Sequence, residues 1–233
     1  MSKQTQWSSL KKLGFSDNAC AVIMGHAMAE SGCECDHVQG DFSADRSKSK
    51  AYTAQVDAGN ISEHEFIYDG PGGGGYGWLQ WTFPQRKEGL YDTAKGLDVS
   101  VGSEETAIEW FWNEIHQPEY SIVWKALNSD MTIRGMSDVF MKHFERPADQ
   151  SEKACAYRAK LCEDMYKEFS QASRPEPHAK DPVQATFPPN PSIKQIQYVM
   201  WDNGYWPIEE INGYKSVKFF NKLREFVDDM EKI

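Results

Sequence analysis

A mainly α fold with at most short β pieces is what this 233-residue chain predicts. Three observations carry that reading. Apolar residues recur at helical spacing in several segments. Capping residues stand where those segments begin, and glycines or prolines where they stop. Residues 33–70, by contrast, are polar and irregular, with short β-like pieces at best.

Along the chain, Ser16 or Asp17 caps a helix that runs through Cys20, Ile23, Met24 and Ala27 and stops at Gly32. Ser103 caps another, and Glu104 and Glu105 suit the positive end of its dipole. Ile108, Phe111, Trp112 and Ile115 then follow the i, i+3, i+4, i+7 pattern. A further helix covers about 132–145 and ends before Arg146-Pro147. The next starts after Ser151 and places Ala154, Tyr157, Leu161 and Met165 on one face. Residues 1–171 thus form one compact domain. Residues 172–192 are proline-rich and read as a semi-rigid linker. Residues 193–233 read as a small helical unit. Ser192 caps a helix with Ile196, Val199 and Met200, and a turn at Asn212-Gly213 leads into a second helix with Val217, Phe220, Leu223 and Phe226.

Composition excludes several classes. The chain is 40% hydrophobic and 13% aromatic, which rules out wholesale disorder. Its eight tryptophans suit either an aromatic core or a sugar-stacking cleft. A formal net charge of −10 argues against nucleic acid and against attraction to an anionic membrane or wall polymer, so recognition has to be local. The stretch from Met1 to Phe15 has no apolar core segment, and no run is long enough to span a bilayer. The chain is therefore expected to be made in the cytoplasm without a signal peptide. The five cysteines have no zinc-finger spacing and no accompanying histidine cluster, so no metal and no cofactor is expected. Reduced, buried thiols are the plain reading; a Cys33–His37 nucleophile pair is the sharper one.

Two segments carry chemistry. The first is His26-Ala27-Met28-Ala29-Glu30-Ser31-Gly32. Glu30 lies at a helix C-terminus, where the dipole disfavours a negative charge, and beside apolar neighbours that disfavour it further. Both raise its pKa, as a general acid near neutrality requires; a solvated helix-end glutamate is the alternative. The second is the glycine run 72–75 leading into Tyr76-Gly77-Trp78-Leu79-Gln80-Trp81-Thr82. It lacks the Gly-Lys-Ser/Thr ending of a phosphate loop. Glycine allows close backbone approach to a ligand. If the segment is extended, Tyr76, Trp78, Gln80 and Thr82 share one side, while Leu79 and Trp81 take the other. A carboxyl facing such a loop suits cleavage of a sugar polymer. For a second carboxylate, Asp41 in Gln39-Gly40-Asp41-Phe42 is the candidate, since the adjacent glycine suits a turn toward Glu30; an ordinary turn aspartate is the alternative.

Met28-Ala29-Glu30-Ser31-Gly32, then Gly75-Tyr76-Gly77-Trp78-Leu79-Gln80-Trp81-Thr82, then Val139-Phe140-Met141-Lys142-His143-Phe144-Glu145-Arg146-Pro147 resemble the phage tail lysozyme family over roughly residues 15–170. That resemblance implies a two-lobed lysozyme-like domain, related to goose-type lysozymes and lytic transglycosylases. It implies cleavage of the β-1,4 link between N-acetylmuramic acid and N-acetylglucosamine, with Glu30 as general acid. It also gives the loop residues Tyr76, Gly77, Gln80, Trp81 and Thr82 a substrate-binding role. Bacterial peptidoglycan is the implied partner, with other phage tail or lysis proteins beside it and delivery through the virion or phage-mediated release. The stretch from Ile193 to Phe220 partly resembles a peptidoglycan-binding repeat, with Tyr-Lys-Ser where that repeat has Gly-x-x-Thr. The competing readings are a lytic transglycosylase giving 1,6-anhydro products, the Cys33–His37 endopeptidase or amidase, and a non-catalytic tail or wall-binding protein.

Overall fold

The computed structural model describes residues 2–70 and 74–170. Its α-helices are α1 (Lys3–Lys12), α2 (Asp17–Ser31), α3 (Ser47–Asp57), α4 (Pro84–Leu97), α5 (Glu104–Ile115), α6 (Ser121–Leu127), α7 (Ile133–Phe140) and α8 (Glu152–Phe169). Single π-helical segments occupy Glu65–Asp69 and Met141–Glu145. Among the described residues β pairing is limited to two isolated antiparallel bridges, Val38 with Tyr76 and Tyr76 with Trp81. The fold is mainly α and lysozyme-like, as expected; the β component reduces to those bridges. The expected linker over 172–192 and the expected helical unit over 193–233 lie outside the described residues.

Side-chain caps start five of the eight α-helices, α1 among them through Ser2. Ser16, Ser103 and Ser151 accept from Ala19, Thr106 and Ala154, and Thr132 does the same for α7 through Gly135. Gly32 ends α2 in the left-handed region at φ 68°, and the following amide donates to the Ala27 carbonyl.

The core is organised around α2. From Ala19 to Ala27 every residue is buried, so α2 is not an amphipathic surface helix but an axis covered on all sides. Its closest companion is α8. A Cβ added to Gly25 would lie 2.5 Å from the Cys162 backbone, so this glycine sets how near the two helices come. The Cys162 thiol points at the Val22 carbonyl across the same contact. A second aromatic layer holds Phe111, Phe140 and Phe144, with ring centroids 4.7–6.3 Å apart. All five cysteines are free and buried.

Residues 33–70 depart from the expected irregular segment, because α3 crosses it. Its buried stripe is Ser49, Thr53 and Val56, at i, i+4 and i+7. Two of the three are hydroxyl residues, so the stripe is buried by hydrogen bonding rather than by apolar contact. The Ser49 hydroxyl donates to Asp41 and accepts from the Val38 amide, and Thr53 pairs with the Tyr76 hydroxyl at 2.6 Å.

Substituting Gly25→Ala should force α2 and α8 apart. Overpacking of this kind costs about 1–3 kcal/mol or more. Thermal unfolding should show a clear fall in Tm, with helical content retained.

Candidate active site

Glu30 sits in the last turn of α2, held in place by the burial of the helix that precedes it. Its carboxylate Oε1 lies 2.5 Å from Nη2 of Arg158 on α8, and its side chain stays 22% exposed. Nη1 of the same guanidinium lies 3.1 Å from Glu145, whose side chain is only 4% exposed. Glu145 in turn meets His26 Nδ1 at 2.9 Å, and His26 Nε2 meets the Ser137 hydroxyl at 2.9 Å. Four charged or chargeable groups from three elements thus form one line from solvent to core.

Their environments push the two carboxyls apart. Burial, then the Glu145 charge, drives the Glu30 carboxyl above the ordinary range, against the pull of Arg158 and His26. Glu145 goes the other way: burial alone would raise it, but His26, Arg158 and Arg86 outweigh that and hold it ionised. His26 is disfavoured as a cation by burial, yet the Glu145 carboxylate raises it to about 9. Two neighbouring carboxyls with opposed proton affinities are the signature of divided roles.

The two carboxyls border a cleft of about 570 Å³. Glu30 and Glu145 line it, together with Arg146, Pro147 and Ala148 of the turn after Glu145. Two further stretches complete it, 37–42 through His37, Gln39, Gly40 and Phe42, and 79–86 through Leu79, Gln80, Thr82, Phe83 and Arg86. The π-helical segment Met141–Glu145 is what turns Phe144 into the aromatic layer while its neighbour Glu145 faces His26 and Arg158. Arg146 then ends the segment at φ 53°. Such π-turns often mark functional positions.

The loop 76–82 is not extended, so the expected alternation of its side chains fails. Tyr76 and Trp81 exchange backbone hydrogen bonds at 3.1 and 2.9 Å, which closes a tight turn between them. Gly77, at φ 81°, lets the turn pass against the Cys35 carbonyl and the Trp81 ring. The result corrects the expected substrate face. Tyr76, Trp78 and Trp81 have no exposed surface. Each polar edge is satisfied inside: Tyr76 by Thr53, Trp78 by Gln6, and Trp81 by Glu114 at 2.8 Å. Gly77 is buried with them. Of the five loop residues expected to touch substrate, only Gln80 and Thr82 line the cleft; Tyr76, Gly77 and Trp81 support it from below. The Ser31 hydroxyl, next to Glu30, donates to the Trp78 carbonyl at 2.7 Å and so fastens this loop to the end of α2.

Asp41 is also corrected. It is not among the residues that line the cleft, and its carboxylate is taken up by neighbouring serines. The Ser43 and Ser49 hydroxyls and amides donate to its two oxygens, which holds it well below the usual carboxylate range. It is a turn staple. The Cys33–His37 pairing fails for a related reason. The Cys33 thiol is buried, points at the Met24 carbonyl, and is pushed up to about 12 by that burial. His37 faces the cleft without it.

Sequence reasoning missed Arg158, Phe42 and Phe83. Arg158 carries no local motif, and only the α2–α8 contact brings it to Glu30. Phe42 and Phe83 are 95% and 64% exposed beside the cleft, where no periodicity singles them out. The chain matches the family model described as phage tail lysozyme over residues 2–169, and it belongs to that family. That places it among lysozyme-like proteins acting on peptidoglycan. No curated protein is a match to the chain.

Two outcomes test this assignment of parts. Trp81→Ala should cost about 3–5 kcal/mol of stability, as a large-to-small core change does. Gln80→Ala, which loses hydrogen bonds to the His37 and Gly77 carbonyls, should cost only about 1 kcal/mol. Chemical denaturation of the two variants separates them. The pH dependence follows from His26. Its proton is held more tightly in the folded chain than at its ordinary value of 6.5, so its stabilising contribution is complete below that pH and is lost as pH rises through about 9. The Tm should fall over that window, and His26→Gln should flatten the fall.

Proposed function

We propose that the chain is a peptidoglycan glycosidase that cleaves the β-1,4 bond between N-acetylmuramic acid and N-acetylglucosamine, with Glu30 as the general acid. The observation that carries this reading is the state of Glu30: a partly exposed carboxyl in the cleft whose surroundings favour the proton that a leaving oxygen must receive. In the reaction Glu30 passes that proton to the glycosidic oxygen as the bond to the muramic C1 breaks, and becomes a carboxylate beside Arg158. Gln80 and Thr82 offer polar contacts at the cleft, and Phe42 and Phe83 offer flat apolar faces to sugar rings. Delivery through the virion or phage-mediated release belongs to the same reading.

A second reading is favoured by one feature of the cleft. Among the described residues only Glu30 and Glu145 bring carboxylates to its lining, and Glu145 is held between His26 and Arg158. A single working carboxyl suits a mechanism in which Glu30 acts first as acid and then as base. If it takes its proton from water, water adds across the bond and the muramic product is a reducing sugar. If it takes the proton from the muramic C6 hydroxyl, that oxygen closes on C1 and the product is the 1,6-anhydro sugar, lighter by one water. Mass spectrometry of products from purified peptidoglycan separates the two.

Glu30→Gln keeps the shape and removes the transferable proton. It should lower the rate of wall clearing by about a hundredfold or more, with the Tm retained. A near wild-type rate in the folded variant would remove Glu30 from the chemistry. Phe42→Ala should raise KM with little change in kcat or Tm, because the ring is almost wholly exposed and supports nothing in the core.

A further inference from the structure

The line from Glu30 to His26 does more than place a counter-charge beside the acid. Arg158 contacts two carboxylates with different nitrogens, Glu30 through Nη2 at 2.5 Å and Glu145 through Nη1 at 3.1 Å. Exposure falls steadily along the line: 22% for Glu30, 14% for Arg158, 4% for Glu145 and none for His26. With His26 protonated, the two cations balance two anions only while Glu30 is ionised. A general acid must work from the other state. When Glu30 carries its proton, Arg158 needs another anion, and Glu145 is already in contact with it. Without Glu145, Glu30 would be the remaining carboxylate on this guanidinium, and the ion pair would hold Glu30 in the unreactive, ionised form.

We propose that Glu145 is a positioning residue for the reaction: it shares Arg158 with Glu30, so that the arginine gives up Glu30 when the acid takes its proton and receives it again as a carboxylate when that proton passes to the leaving oxygen. The inference rests on the acid role proposed for Glu30. His26 completes the device by keeping Glu145 ionised, with Ser137 fixing the far side of its ring. The charged and titratable groups that bear on the line come from each element packed against it. Glu30 feels Glu145, Arg158 and His26; Glu145 also feels Arg86 of α4; His26 also feels Cys162, and Arg158 its neighbour Tyr157. Glu145 borders the cleft but is only 4% exposed and is ion-paired on both oxygens, so it is placed to act through Arg158 rather than on the substrate.

The test uses the full chain and two substitutions of opposite sign. Rate on peptidoglycan as a function of pH has an alkaline limb where Glu30 loses its proton. Glu145→Gln removes the competing anion, so that limb should move to lower pH. Arg158→Gln removes the shared cation, so it should move to higher pH. The Glu30 carboxyl is titrated in parallel by carbon-13 NMR, with the signal assigned through its loss in Glu30→Gln. It should move in the same two directions. Folded variants whose carboxyl titration stays in place, or moves the same way in both, overturn the proposal. Should Glu145→Gln fail to fold, Arg158→Gln decides alone, because Arg158 lies nearer the surface: no upward movement of the Glu30 titration overturns the sharing. A carboxyl titration that moves as expected while the activity limb stays put tells instead against Glu30 as the acid, and leaves the proton-holding line standing.

Discussion

The closeness of α2 and α8 is the constraint on which the site depends. Gly25 has no side chain because the Cys162 backbone occupies that space. The helices run antiparallel there: beyond Gly25 the chain of α2 leads to Glu30, and one turn before Cys162 the chain of α8 carries Arg158. Close packing of the backbones is therefore what brings a guanidinium within 2.5 Å of the acid. A wider crossing would leave both side chains to solvent, where an ion pair contributes little. Packing in this protein fixes electrostatics.

The same economy governs the loop opposite Glu30. Its aromatic residues do not greet the substrate; they anchor the loop from beneath. Trp81 donates to Glu114, and the two oxygens of Glu114 also hold Arg86 at 2.5 and 3.0 Å. The Arg86 guanidinium lies 4.6 Å from the centre of the Phe144 ring, one residue before Glu145. The loop, α4 and the turn carrying Glu145 are thus joined through one buried polar cluster, while Ser31 joins the loop to the helix of the acid. Groups held this firmly need little rearrangement when charge develops in a reaction.

Much of this was legible in the residues. The limits of α2, α5 and α8 followed from Ser16, Gly32, Ser103 and Ser151, because caps and C-terminal glycines act locally. Glu30 stood out for the same reason, since a helix end is a local property. The three segments behind the family resemblance pointed to the family the chain belongs to. What could not be read depends on distant contact. The α3 stripe is polar, so hydrophobic periodicity passed over it. The side-chain alternation assigned to 76–82 assumed an extended chain, whereas Gly77 and Gln80 both take positive φ and fold it into a turn. Asp41 beside a glycine looked free to turn toward the acid, but the hydroxyls that claim it come from Ser43 and from Ser49 on the unforeseen helix. Arg158 lies far along the sequence from Glu30, and no spacing rule links them.

The five buried thiols have a consequence for the surroundings in which this fold persists. None is paired, and burial holds Cys20, Cys33 and Cys35 above the range in which a thiolate forms. Disulfide exchange and peroxide attack both begin from a thiolate that reagents can reach. With their sulfurs sealed, these cysteines are insulated from the redox poise outside. The described fold draws no strength from a crosslink that a reductant could cut, and its thiols offer an oxidant little to attack.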